Sequence, residues 1–144
     1  MRAILLICLI PTLSFGMDRM TALSMLETGD NDRMVGRAGE ISRYQVLKAE
    51  WKRVCNSTDY SNPVLAKSVA EKLLDERLQR FQSKFGRNPT DFEFYGLWNA
   101  PGQVLSGHVS KVVAGRCERF ANLCAIPTGP MIAAKAPNHN RPVL

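Results

Sequence analysis

Apolar positions recur with helical period over most of the chain, and the polar or glycine-rich breaks between periodic stretches mark its elements. Ala22, Leu23, Met25 and Leu26 predict a first helix over residues 17–28, with Asp18 early in it and Gly29 just past its end. Gly29 to Gly39 is a polar loop. Its Asp30, Asn31 and Asp32 suit a turn better than a calcium loop, because the alternate ligands and closing glutamate of an EF-hand are missing. Glu40 to Val46 alternates weakly, with Ile41, Arg43 and Gln45 on one side and Ser42, Tyr44 and Val46 on the other, which predicts a short strand or hairpin arm.

Helical spacing returns at Leu47 to Val54, where Leu47, Trp51 and Val54 share a face, and Cys55 to Ser61 is a polar connection. The clearest helix follows. Asn62 suits its N-cap, Pro63 its first turn and Gly86 its stop, and the apolar stripe runs Ala66, Val69, Leu73, Leu74, Leu78, Phe81 and Phe85. Its charged residues, Arg77 and Arg80 among them, fall largely off that stripe and read as solvated. After the Asn88-Pro89 turn, Thr90 and Glu93 form a capping box for DFEFYGLWNA, which stops at Asn99-Ala100-Pro101-Gly102 and leaves Trp98 and Asn99 at an exposed end. Ser110 caps a last helix, Lys111 to Cys124, with Val113, Cys117, Phe120 and Cys124 on one face. Residues 127–144 hold four prolines without periodicity and read as a flexible tail. The predicted class is α+β, mostly α, with a small β-hairpin.

Length and composition narrow the picture. The chain has 144 residues, 45% of them hydrophobic, which fits one domain with one core. Met1-Arg2, the apolar run Ala3 to Ile10 and the small residues Ser14 and Gly16 predict a signal peptide over residues 1–16, too short for the roughly 20 apolar residues of a spanning helix. Its removal takes away Arg2 and lowers the formal charge from +6 to +5. A basic secreted or periplasmic chain is drawn to polyanions such as cell-wall polymers. No run of basic residues is interleaved with aromatics as in a nucleic-acid strip, so no nucleic-acid partner is expected. No helix joins a continuous basic face to a strong apolar one, so a stable membrane association is not expected either, and the mature chain reads as a monomer.

Cys55, Cys117 and Cys124 remain after cleavage and allow at most one internal bridge. On one helix Cys117 and Cys124 lie about 10 Å apart, beyond the roughly 7 Å limit. Cys55 is then the partner for one of them, unless all three are buried thiols. There is no CxxC, and His108 and His139 stand apart, so neither a metal site nor another cofactor is expected.

The candidate chemistry lies in two carboxylates. Glu27 sits where the first helix ends, and Glu40 follows after Gly29, Gly36 and Gly39 have permitted the chain to reverse. Two carboxylates across a cleft point to glycosidic chemistry. The plainer readings are a surface glutamate at a helix end for Glu27, and an ion pair with Arg37 or Arg43 for Glu40.

Three patterns fall in order: LETG at Leu26 to Gly29, GEISRYQV at Gly39 to Val46, and YGLWNAPGQV at Tyr95 to Val104. Together they resemble the lysozyme-like superfamily, above all lytic transglycosylases and goose-type lysozymes, over about residues 20–124. That family carries a helix-ending Glu-Ser-Gly, a Gly-Ala-x-Gly-Leu-Met-Gln strand and a later Ala-Tyr-Asn-Ala-Gly-Pro. The resemblance implies a lysozyme-like helical domain with its hairpin beside a catalytic cleft over residues 17–126. It implies Glu27 as general acid, Thr28 in place of a serine near it, Gln45 on the sugar groove, and Asn99 contacting an acetamido sugar.

Two departures stand out. Ser42-Arg43-Tyr44 replaces Gly-Leu-Met, and Trp98 replaces a tyrosine whose hydroxyl often serves the glutamate, a role open to Tyr44 or Tyr95. Glu40 stands five residues before Gln45, as an aspartate does in c-type lysozymes, and so is a nucleophile, base or electrostatic stabiliser. The implied activity is cleavage of β-1,4 bonds between MurNAc and GlcNAc in peptidoglycan strands. The alternatives are a chitinase or chitosanase on the same fold, or a noncatalytic glycan-binding envelope protein.

Overall fold

A computed structural model describes residues 16–127, and these form six helices: α1 (Arg19–Thr28), α2 (Lys48–Val54), α3 (Pro63–Phe85), α4 (Asp91–Asn99), α5 (Pro101–Ser106) and α6 (Lys111–Ala125). Local chemistry accounts for most of their ends. Asp18 caps α1 by accepting from the N–H groups of Met20 and Thr21, Asn62 does the same for α3 at Val64 and Leu65, and Ser110 accepts from Val113 at the start of α6. Thr90 and Glu93 complete the reciprocal capping box of α4. The left-handed Gly29, Gly86 and Gly107 end α1, α3 and α5.

α4 is the centre of the molecule. It packs against α6, α5 and α3, and its Phe94, Tyr95, Gly96, Leu97 and Trp98 are all buried. Gly96 permits the closest of these approaches, since a Cβ there would meet Val104 of α5 and the Sγ of Cys117 of α6. Phe120 of α6 stacks on both Phe94 and Tyr95, with ring centroids 5.7 and 5.4 Å apart. Trp51 anchors α2. It is fully buried, and its indole N–H donates to the Ser57 carbonyl at 2.8 Å. Arg19 ties α1 to the start of α4 through Asp91 at 2.8 Å and the Pro89 carbonyl at 3.1 Å.

Several expectations need correcting. Glu40 to Val46 does not form a strand: a single antiparallel bridge pairs Ile41 with Val46, and the four residues between them turn. Ser42 and Gln45 take positive φ there, at 64° and 52°, which breaks the alternation a strand requires. Leu47 caps α2 from outside and is exposed, as is Phe85 at the last position of the α3 stripe. Helix α5 was not anticipated; Pro101 at its start and Gly107 after its end are its only local signals. The three described cysteines are free, with Cys117 and Cys124 buried on one face of α6 and Cys55 half-buried at the end of α2, so no bridge to Cys55 forms. The leader over residues 1–16 and the tail over residues 127–144 lie outside the described residues except for Gly16 and Pro127, which pair in one bridge. Among the described residues no helix is long and apolar enough to cross a membrane.

Candidate active site

The loop between α1 and α2 shapes the site. Arg43 locks it, with Nε and Nη2 on the two carboxylate oxygens of Asp32 at 2.6 and 2.8 Å and Nη1 on Asp30 at 3.2 Å. Asp30 in turn accepts from the Ser24 hydroxyl of α1. Thr28 closes the arrangement: its hydroxyl donates to the Arg43 carbonyl at 3.0 Å and accepts from the Asn31 N–H at 3.0 Å. Thr28 is thus a tie between the helix end and the loop. Tyr44, one of the two hydroxyls open to serving Glu27, is buried and lines a separate groove with Pro63 and Lys67.

This loop and side chains from all six helices line a cleft of about 870 Å³. Glu27, Glu40, Gln45, Trp98 and Asn99 all line it, so five of the eight expected site residues converge. Gly36 lies where Glu40 and Gln45 meet, and a Cβ there would collide with both side chains. Its N–H donates to the Glu40 carbonyl at 2.8 Å, while Glu40 Oε2 accepts from the Ala38 N–H at 2.9 Å. Glu40 makes no ion pair with Arg37 or Arg43 among the described residues; Arg43 is committed to Asp30 and Asp32. The Gln45 amide is steadied by the carbonyls of Ser42 at 3.1 Å and Met34 at 3.4 Å.

Tyr95 stands behind Glu27. Its hydroxyl donates to Glu27 Oε1 at 2.8 Å, and its ring is fixed against Phe120. Of the two candidate tyrosines, Tyr95 and not Tyr44 bonds the Glu27 carboxyl. Trp98 is more buried than its place at a helix end implied, and the Arg77 guanidinium lies over its ring, 5.1 Å from the centroid.

Burial raises the Glu27 carboxyl above its ordinary value of 4.5, and the charge on Glu40 adds to the rise. The Tyr95 hydrogen bond and the Arg116 charge oppose it. Burial and the Glu27 carboxylate together push the Tyr95 hydroxyl well above the usual phenol range, so it remains a donor. The site therefore presents a half-buried carboxyl biased toward its protonated form, a fixed donor behind it, and a second carboxylate on the same cleft.

Five arginines dispersed along the chain converge on the cleft without any local motif to announce it. Arg37, Arg53, Arg77, Arg80 and Arg116 all line it. Arg77, expected to be solvated, is instead half-buried and donates to the Leu97 and Trp98 carbonyls at the end of α4, at 3.3 and 2.8 Å. Helical period places a residue on a face but does not say which neighbour's orphan carbonyls that face meets. Comparison of the chain with protein-family models, curated proteins and solved structures yields no match.

Proposed function

We propose that this protein is an exported peptidoglycan-cleaving enzyme, a lytic transglycosylase or muramidase, acting on β-1,4 bonds between MurNAc and GlcNAc on a lysozyme-like helical domain. One observation carries the proposal: the half-buried, Tyr95-held carboxyl of Glu27 opens into a cleft large enough for sugar rings, which Glu40 also lines. Breaking such a bond requires a proton for a poor alkoxide leaving group, and the upward shift of Glu27 favours the protonated form that can supply it.

In the mechanism, Glu27 protonates the glycosidic oxygen as positive charge develops on the anomeric carbon. Tyr95 then donates to the newly formed carboxylate, which is the state its hydrogen bond favours. Gln45, Trp98 and Asn99, which line the cleft, flank the sugar. Two fates follow. The sugar's own 6-hydroxyl closes on the anomeric carbon and leaves a 1,6-anhydro end, or water attacks with Glu40 as base or as the group that stabilises the cation. The hydroxyl of Tyr95 behind Glu27 favours catalysis over a binding module, because a glycan-binding wall has no use for a tuned carboxyl.

Mass spectrometry of purified peptidoglycan incubated with residues 17–144 tests the proposal. Anhydro ends identify the transglycosylase and ordinary reducing ends the muramidase. A digest without new glycan ends contradicts both.

A further inference from the structure

The cleft has two ends, and their charge differs. Near Glu27, Arg37 and Arg116 face Glu27 and Glu40, so cations and carboxylates balance. The other arm runs along α3. Glu76, Arg77 and Arg80 enter it there, and α2 adds Glu50 and Arg53. Lys84, one turn past Arg80, lines an adjoining groove of about 610 Å³ that shares Glu76 and Arg80 with the cleft. From Glu76 to Lys84 the helix advances about 12 Å, and Glu27 does not line this adjoining groove.

A single guanidinium takes up both carboxylates of this arm. Arg53 forks onto Glu76 at 2.8 Å through each of two nitrogens and reaches Glu50 at 3.2 Å. Arg77 is bonded to backbone carbonyls, and Lys84 donates to the carbonyl of Leu105. Arg80 is exposed, and neither it, Arg77 nor Lys84 has an ion-pair partner among the described residues. Four cations thus face two carboxylates, and one of the four, Arg77, is half-buried where solvent screens it least. Such an excess attracts negative charge on a ligand.

We infer that this arm is a carboxylate-binding subsite, with Arg80 and Lys84 as the contacting cations and Arg77 as a fixed charge behind them. The inference rests on the glycan-cleaving reading and sharpens it: the cleft takes acidic, carboxylate-bearing glycan strands, and discriminates against neutral chitin and cationic chitosan. The carboxylates belong to the strand's own sugars or to its peptide branches.

Binding is measured with the Glu27→Gln protein and three probes: peptide-bearing peptidoglycan strands, the same strands stripped of peptide by an amidase, and neutral chitin oligosaccharides of matched length. Peptide-bearing strands are expected to bind at least about fivefold tighter than chitin, and Arg80→Glu with Lys84→Glu to erase the difference. The pair Arg80→Lys and Lys84→Arg keeps it. Preference retained on stripped strands assigns the carboxylates to the sugars, and preference lost assigns them to the peptides; both support the subsite. Equal binding of chitin and peptide-bearing strands, or a preference untouched by charge reversal in a folded protein, overturns it. Strands that bind with preference but are left uncut by the wild-type protein sustain the subsite and refute the cleavage chemistry.

Discussion

The Glu27–Tyr95 pair is the smallest unit on which the function depends. Tyr95 lowers the Glu27 pKa by bonding its carboxylate, so Tyr95→Phe is expected to raise it. The alkaline limb of the kcat/KM profile then moves to higher pH, while kcat falls about tenfold with the loss of a charge-assisted hydrogen bond. A pH–rate profile checks both, and an unshifted limb would show that Glu27 does not set it. Glu27 was legible in the sequence because helix periodicity ends there and Gly29 follows. Its partner was not singled out from the sequence, where Tyr95 stood beside Tyr44 as an equal candidate. Sixty-eight positions separate Tyr95 from Glu27 in sequence, and the packing of both α1 and α4 against α6 brings its hydroxyl to the carboxyl.

At the scale of elements, α4 holds the site in place, and its own stability is set locally. Thr90→Ala removes the cap side chain from the Glu93 N–H and is expected to cost about 1 kcal/mol, measured by chemical denaturation. Gly96→Ala acts through packing instead. Its methyl meets Val104 and Cys117, and overpacking of this kind costs about 1–3 kcal/mol, which a lowered denaturation midpoint would register. Caps and stops were readable because they are written in adjacent residues. Asn62, Thr90, Ser110, Gly29 and Gly86 all act where the sequence placed them. The Glu40–Val46 segment misled, because its alternation is weak and the left-handed Ser42 and Gln45 carry no glycine to announce them.

For the whole molecule, the raised Glu27 pKa links function to stability. A carboxyl whose folded pKa exceeds its unfolded value stabilises the fold fully at low pH, and that contribution is lost as pH rises through the folded pKa. Glu27→Gln removes the burdened carboxylate, so its melting temperature is expected to exceed that of the wild type at neutral pH. The gap closes as pH falls toward the ordinary value of 4.5. Thermal melts across that range test the sign. A variant less stable than wild type at neutral pH would mean that Glu27 is an asset to the fold and not a strained group kept for chemistry. The mostly helical class was legible from periodicity. The basic arm of the cleft was not, because the sequence dispersed its arginines over α2 and α3 and gave no sign that both helices face one opening.

The most direct test of the central claim is turnover of purified peptidoglycan by wild-type and Glu27→Gln proteins side by side, with folding checked by circular dichroism and strand binding by sedimentation. Loss of the general acid is expected to lower the rate by about 10²–10⁴-fold while fold and binding persist. A folded Glu27→Gln protein that releases glycan fragments at near wild-type rate would contradict the assignment of Glu27 as the proton donor.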